Sequence, residues 1–207
     1  MNKTYFPYDQ VELDYLCAAD KCLAKVIRSV GKIEREINSD VFEALISSII
    51  GQQISGKVAA IVKQRLSQKV NGCITPQNIS SLSWEELKNC GLSGQKVRYI
   101  SAAAATAIEG KIDFEGLKNL SDEDVISKLT ALSGVGRWTA EMLLIFSLCR
   151  PNIISYADFG IRKGMQILYH LDTIDKNTFQ RLTAPYHPYA TVASFYLWYV
   201  ANNNWQP

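Results

Sequence analysis

The chain has 207 residues, 47% hydrophobic and 20% charged, the balance expected of a soluble globular protein with a sizeable core. Its formal charge of only +2 excludes a global positive field, so any affinity for nucleic acid has to come from a local patch and from helix-end dipoles. The five cysteines (Cys17, Cys22, Cys73, Cys90 and Cys149) form no Cys-x-x-Cys pair and no Cys/His cluster, which argues against a disulfide framework or a zinc or iron–sulfur site.

The elements are read in chain order from caps and apolar period. The N-terminus lacks the apolar core of a signal peptide, and residues 1–35 are expected to form a short segment packed against the C-terminal helix. Phe42, Leu45, Ile46, Ile49 and Ile50 recur at helical spacing, with Ser39 or Asp40 as cap and Gly51 as terminator. Gly56 to Val70 repeats the pattern through Val58, Ile61, Val62 and Leu66, with Lys57, Lys63, Arg65 and Lys69 on the polar face. Thr75-Pro76 predicts a cap and first-turn proline. Ser83-Trp84-Glu85-Glu86 predicts a capping box, with Gly91 past the helix end. The alanines 102–105 allow a neighbouring helix to approach closely. Ser121-Asp122-Glu123-Asp124 starts another helix, with its acids placed well for the dipole. Its apolar face is Val125, Leu129 and Leu132.

The apolar run Met142 to Cys149, the longest in the chain, is too short to cross a membrane and predicts a buried helix. Asp158 is placed to cap a helix beginning near Phe159, and a last helix is expected over about 189–201. About ten helices result, and strand-like alternation is nearly absent. The expected fold is all-α and compact: a single domain over 1–207 with two lobes and a cleft between them. One lobe spans about 36–130 with the hairpin 121–149, and the other combines 1–35 with 150–207.

The densest signal is Leu132-Ser133-Gly134-Val135-Gly136-Arg137-Trp138-Thr139-Ala140. Two glycines around one aliphatic residue predict a tight hairpin between helices, with Gly134 and Gly136 adopting angles that side chains penalise and Val135 plugging the core. Such a turn leaves amide groups unpaired at the start of the second helix, where the dipole favours an anion such as a nucleic-acid phosphate. Arg137 is placed to pair with that phosphate, and Lys128 lies nearby. Asp158 follows about a helix-length later. Its carboxylate can cap a helix, perform chemistry, or do both.

The nine-residue string followed by this aspartate resembles the helix-hairpin-helix (HhH-GPD) DNA glycosylases, in particular the AlkA-like 3-methyladenine DNA glycosylase II branch. Phe42 to Ser55, Gly91-Leu92-Ser93 with Lys96-Val97-Arg98, and Ser194-Phe195-Tyr196-Leu197-Trp198 extend the resemblance over about 39–200, with no room for the N-terminal β domain of some members. The resemblance implies a monofunctional enzyme that flips a damaged base out of double-stranded DNA and hydrolyses its N-glycosidic bond. Asp158 is then the catalytic carboxylate, which either stabilises the oxocarbenium-like sugar by charge or activates water.

Trp138, Trp198, Met142 and Tyr156 would line the base pocket, with Tyr196 and Phe159 as neighbours. Gly134, Val135, Gly136, Arg137 and Thr139 would contact DNA, and Gln53, with Ile54 next, would fill the gap left in the stack. Trp138 stands where lyase-type relatives carry a catalytic lysine, which implies no strand cleavage. No cofactor is required, and a Na+ or K+ ion held by the carbonyls of Thr130, Leu132 and Val135 is implied by resemblance alone.

Two positions depart from relatives: Met142 stands where some members place a pocket aromatic, and Ala190 where many have an arginine. His170 and His187 match no catalytic pattern. A monomer acting in the cytoplasm, without membrane contact, is expected. Two other readings stay open on sequence: a non-catalytic DNA-binding module that kept the hairpin, and a glycosylase for oxidised or deaminated bases. Asp158 and the aromatics discriminate the first, since a mere binder needs neither.

Overall fold

The computed structural model describes residues 3–203 and 205. Among these the chain forms twelve α-helices, two 3-10 turns and one isolated bridge of extended backbone, Tyr5 to Glu36. The all-α expectation holds. The helix number exceeds the expected ten partly because residues 1–35 contain α1 (Gln10–Ala19) and α2 (Lys21–Val30). Their signals are caps rather than periodicity. Glu12 reaches back to the Asp9 amide at 2.9 Å, and the Asp20 side chain accepts from the amides of Cys22 and Leu23.

The chain separates into two compact units, Asn38–Leu143 and Met1–Ile37 with Leu144–Pro207. The first contains α3 (Val41–Gly51), α4 (Gly56–Lys69), α5 (Pro76–Ser80), α6 (Trp84–Asn89), α7 (Gly94–Ile108), α8 (Asp122–Thr130) and the start of α9 (Arg137–Phe146). Asp40 caps α3 by accepting from the Glu43 amide at 2.9 Å. The stripe Phe42, Leu45, Ile46, Ile49 and Ile50 is buried throughout, as its spacing predicts. This helix packs on α4 and α7, and α5 packs on α7, where Ala103 and Ala104 are buried.

Two details differ from expectation in this unit. Gly51 is the last residue of α3 and Gln52 is its C-cap, so Gly51 does not end the helix by a left-handed turn. On α4 only Val62 and Leu66 are buried, while Val58 and Ile61 stand 47% and 49% exposed. The helix turns a narrower face inward than its four apolar residues suggest.

The second unit is built around α12 (Ala190–Asn202), in which every residue from Ala190 to Leu197 is buried. A helix apolar on nearly all sides belongs in the centre of its unit. Against it lie α1, α2 and α10 (Phe159–Tyr169), with α11 (Lys176–Thr183) completing the unit. The closest approach is at Gly164, where a Cβ would fall 2.1 Å from the Leu197 carbonyl oxygen. Thr191 pins the loop that leads to α10. Its hydroxyl donates to the Arg150 carbonyl at 2.7 Å and accepts from the Ile153 amide at 2.9 Å. The helix expected up to Cys149 stops at Phe146, because the chain turns there and Cys149 takes a left-handed φ of 52°. Among the described residues no helix is long and apolar enough to cross a membrane.

Candidate functional site

Asp158 is the N-cap of α10 and is only 6% exposed. Its Oδ1 accepts two hydrogen bonds, from the Ile161 amide at 2.8 Å and from the Trp198 indole N–H at 2.9 Å. The first fixes the carboxylate at the positive end of the helix dipole, and the second fixes it to α12. Trp198 is itself held flat. Its ring stacks on Phe146 (5.7 Å between centroids, 26° between planes) and on Phe195 (6.2 Å, 22°).

Gly160 makes this geometry available. A Cβ there would sit 2.8 Å from Trp198 Cδ1 and 3.2 Å from Asp158 Oδ1. Gly160 and Gly164 thus form one cradle on α10, the first for an indole and the second for a backbone. Neither is among the residues expected at the site. The available signal is two glycines four apart inside a helix, which propensity alone disfavours.

The expected aromatics divide into three kinds. Phe159, next to Asp158, is 74% exposed and presents a bare aromatic surface. Trp198 is a support for the carboxylate as well as an aromatic face. Tyr156, half-buried, and Tyr196, buried, each have partners within their own unit. Tyr156 lies edge-on to Phe179 at 5.2 Å with the Arg162 guanidinium 5.3 Å over its ring, and the buried Tyr196 donates its hydroxyl to the Gly31 carbonyl at 2.8 Å. Desolvation by burial, and after it the hydrogen bond with Tyr8, pushes the Tyr196 phenol far above its ordinary pKa.

The hairpin belongs to the other unit. Gly134 takes φ +82°, and a Cβ on it would fall 2.2 Å from the Tyr99 ring, so glycine is required there on two counts. Gly136 carries no such demand: its φ is not left-handed, and a Cβ would meet nothing within 4 Å. This corrects the expectation that both glycines serve the turn. Val135 and Leu132 are buried and hold the bend, as expected. The amides of Gly134, Gly136 and Arg137 donate to no carbonyl among the described residues. That is the donor set an incoming anion requires.

The Arg137 side chain differs from expectation. Its guanidinium forks onto Glu123 at 2.6 and 3.1 Å, and its Nε donates to Glu141 at 3.0 Å. It is therefore held by two carboxylates rather than standing free for a phosphate. Thr139 is buried, 4% exposed, so its side chain offers no surface. Trp138, on the first turn of α9, is 42% exposed, and Met142 lies half-buried one turn later.

Between α3 and α4, Gln53 is exposed in a left-handed conformation, φ +57°, and Ile54 is 38% exposed. The preceding Gln52 reaches the hairpin, donating to the Gly134 carbonyl at 2.9 Å. The loop and the hairpin, far apart in sequence, are thus neighbours within one unit. Of the three carbonyls expected to hold a monovalent cation, that of Leu132 accepts from the Val135 amide at 3.2 Å. Those of Thr130 and Val135 accept no hydrogen bond among the described residues, so both keep lone pairs open. Among the described residues no cluster of His, Cys, Asp or Glu could hold another metal.

Comparison with known proteins gives a consistent picture. Residues 46–188 match the family model of the HhH-GPD superfamily base excision DNA repair proteins. The chain is 32% identical over 194 residues to DNA-3-methyladenine glycosylase 1 of Schizosaccharomyces pombe, covering 89% of this chain and 84% of that one. Among solved structures, the DNA-3-methyladenine glycosidase of Bacillus halodurans superposes with a TM-score of 0.86 at 33% identity, covering 99% of this chain and 94% of that one. The S. pombe 3-methyladenine DNA glycosylase in complex with abasic DNA gives 0.83 at 30% identity, covering 95% and 99%.

Proposed function

The chain belongs to the HhH-GPD superfamily of base excision DNA repair proteins, and we propose that it is a monofunctional DNA glycosylase for alkylated purines of the 3-methyladenine type. The observation that carries this reading is the Asp158 carboxylate, buried at a helix start and held through one oxygen by two N–H donors. A helix cap requires only the bond from the Ile161 amide, whereas the second donor, the Trp198 indole held by two stacked rings, fixes the carboxylate beyond what capping needs.

The target nucleotide leaves the stack, and Gln53 or Ile54 from the exposed loop fills the gap. The unpaired amides of the hairpin grip a phosphate of the same strand. The positive charge of the base favours aromatic faces, and each unit exposes one: Trp138 on the first turn of α9, and Phe159 beside Asp158. Met142 adds an adaptable thioether surface. The bond between the deoxyribose C1′ and the base nitrogen then breaks, and its electron pair leaves with the base, cancelling the alkyl-derived charge. Asp158 stabilises the cationic sugar left behind. Water adds to C1′ and loses a proton, giving an abasic site and the free base.

A cation already on the base makes it a good leaving group, so no acid is needed to protonate it. Trp138 offers no amine for a Schiff base, so the strand stays intact. The carbonyls of Thr130, Leu132 and Val135 would hold a Na+ or K+ ion, which would supply positive charge to the hairpin. The protein acts as a monomer on damaged duplex DNA inside the cell, with no membrane partner.

The test is a panel of duplexes, each with one lesion (3-methyladenine, 7-methylguanine, hypoxanthine, 8-oxoguanine or a mismatched thymine), scored by alkaline cleavage at abasic sites. Release confined to the methylated purines, with no cleavage before alkali, is the expected result. Release of the oxidised or deaminated bases alone reassigns the substrate, and binding without any release reduces the protein to a DNA-binding module.

A further inference from the structure

Lys96 occupies an unusual place. It is the third residue of α7, whose cap Ser93 binds the Lys96 amide, and a cation near a helix start is disfavoured by the dipole. The side chain serves a different helix. Its ammonium donates to the carbonyls of Ile50 and Gln52, both at 2.7 Å. These are among the last carbonyls of α3, which have no donor within their own helix, and a cation is favoured at that end. Desolvation by burial lowers the Lys96 pKa from its ordinary value, as expected of an ammonium drawn out of water.

The same helix touches the hairpin. Tyr99, three residues beyond Lys96, packs its ring over Gly134 where any Cβ would collide with it. Gln52 closes the circuit through its side-chain bond to the Gly134 carbonyl at 2.9 Å. The path therefore runs from α7 through Lys96 to the end of α3, through Gln52 to the hairpin, and back through Tyr99 to α7. Gln53 follows immediately, exposed and left-handed at φ +57°. A non-glycine residue holds such a conformation when its surroundings fix it. The residue before Gln53 is fixed twice, by its carbonyl and by its side chain.

We propose that Gln52 and Lys96 are positioning residues that weld the loop 52–55 to the hairpin, so that the stack-filling side chain stays in register with the amides gripping the strand. The proposal rests on the glycosylase reading. It gives two adjacent glutamines different roles, since Gln53 or Ile54 enters the duplex while Gln52 stays in the protein as a strut. Neither Gln52 nor Lys96 touches the reacting atoms. Their effect is to keep the loop from recoiling when it meets the resistance of stacked bases.

The experiment uses the full chain with Gln52→Leu, Lys96→Met, Lys96→Arg and the double variant Gln52→Leu/Lys96→Met. The probes are a duplex with 2-aminopurine beside a tetrahydrofuran abasic site, which reports loop insertion by fluorescence, and a 7-methylguanine duplex for single-turnover release. Loss of either contact is expected to leave affinity for undamaged duplex within about twofold, since phosphate contacts dominate it. The fluorescence change should disappear and release slow by about tenfold, the scale of one or two lost hydrogen bonds. Lys96→Arg restores both signals, and the double variant is no slower than the slower single one, because the two residues act on one loop.

Variants that insert and release like the wild type overturn the proposal. So do variants that lose insertion only together with cooperative thermal unfolding, or a Lys96→Arg protein that folds but is not rescued. If the wild type itself inserts nothing and releases nothing, the glycosylase reading fails first and the strut falls with it.

Discussion

The Asp158 region and the hairpin with its neighbouring loop solve opposite problems. At Asp158 the carboxylate is bonded inward: one oxygen takes a backbone and an indole donor, and two ring contacts hold the indole. At the hairpin and loop they are left outward. Amides of Gly134, Gly136 and Arg137 have no protein acceptor among the described residues, and Gln53 and Ile54 face solvent. A group that stabilises developing charge gains from being fixed before the reaction begins. Groups that grip a partner must have their bonding capacity open until it arrives. The difference separates the residues expected to govern rate from those expected to govern affinity.

The largest test of that separation is Asp158→Asn. The asparagine carbonyl can still accept from the Ile161 amide and the Trp198 indole, so the fold and the cap persist. Base release should drop by about a thousandfold or more, the scale of losing a buried charge aimed at a transition state. Affinity for a duplex with a tetrahydrofuran site should stay within about threefold, because the proposed phosphate contacts lie at the hairpin amides. Release at the wild-type rate removes the carboxylate from the chemistry and erases the contrast.

Two glycine substitutions sharpen it next. Gly160→Ala places a methyl 2.8 Å from Trp198 Cδ1, closer than a real Cβ comes to any neighbour, so the indole has to shift off Asp158. Release should fall by about ten- to hundredfold, with a melting temperature lower by several degrees, as for an overpacked core of this size. Gly136→Ala places its methyl in open space at an ordinary φ, so melting should not change. A strand lying close on the Gly136 amide meets the new methyl, and duplex affinity should weaken by about tenfold while release at saturation holds. Unchanged affinity would mean that the strand runs elsewhere.

The two glycines also show what is legible in a sequence. Helices with a clear stripe or cap, such as α3, α6 and α8, are readable because the information is local. Asp158 is readable as a cap for the same reason, and Gly134 as a turn. Gly160 is not, because what it accommodates is Trp198, a side chain 38 positions away whose approach is set by helix packing. The exposure of Val58 and Ile61 escapes notice likewise, since a helix's apolar residues do not say how wide a groove awaits them. Arg137 reads as facing a phosphate because its position beside the unpaired amides is local information. Its acceptor Glu123 lies at the start of the preceding helix, and only the folded hairpin brings the two together.

That pair yields the smallest prediction. The Arg137–Glu123 fork lies at the surface, with side chains 56% and 73% exposed, so it adds about 0–1 kcal/mol to stability. The hydrogen bond from Arg137 holds the Glu123 carboxyl below its ordinary range. The fork's contribution is therefore present at neutral pH and is lost as pH falls through that lowered value. Glu123→Gln removes one carboxylate from Arg137 and leaves the bond to Glu141 in place. Melting at neutral pH should move by no more than about 2–4 °C.

Duplex affinity should rise by a few-fold, and the slope of log affinity against log salt should steepen by about 0.9, the signature of one added phosphate contact. In an Arg137→Gln background the same change should add no such steepening, which separates release of Arg137 from simple removal of a negative charge. An equal salt slope for Glu123→Gln and the wild type would show that Arg137 stays with Glu141 when DNA binds. The hairpin would then hold the strand through its backbone amides alone.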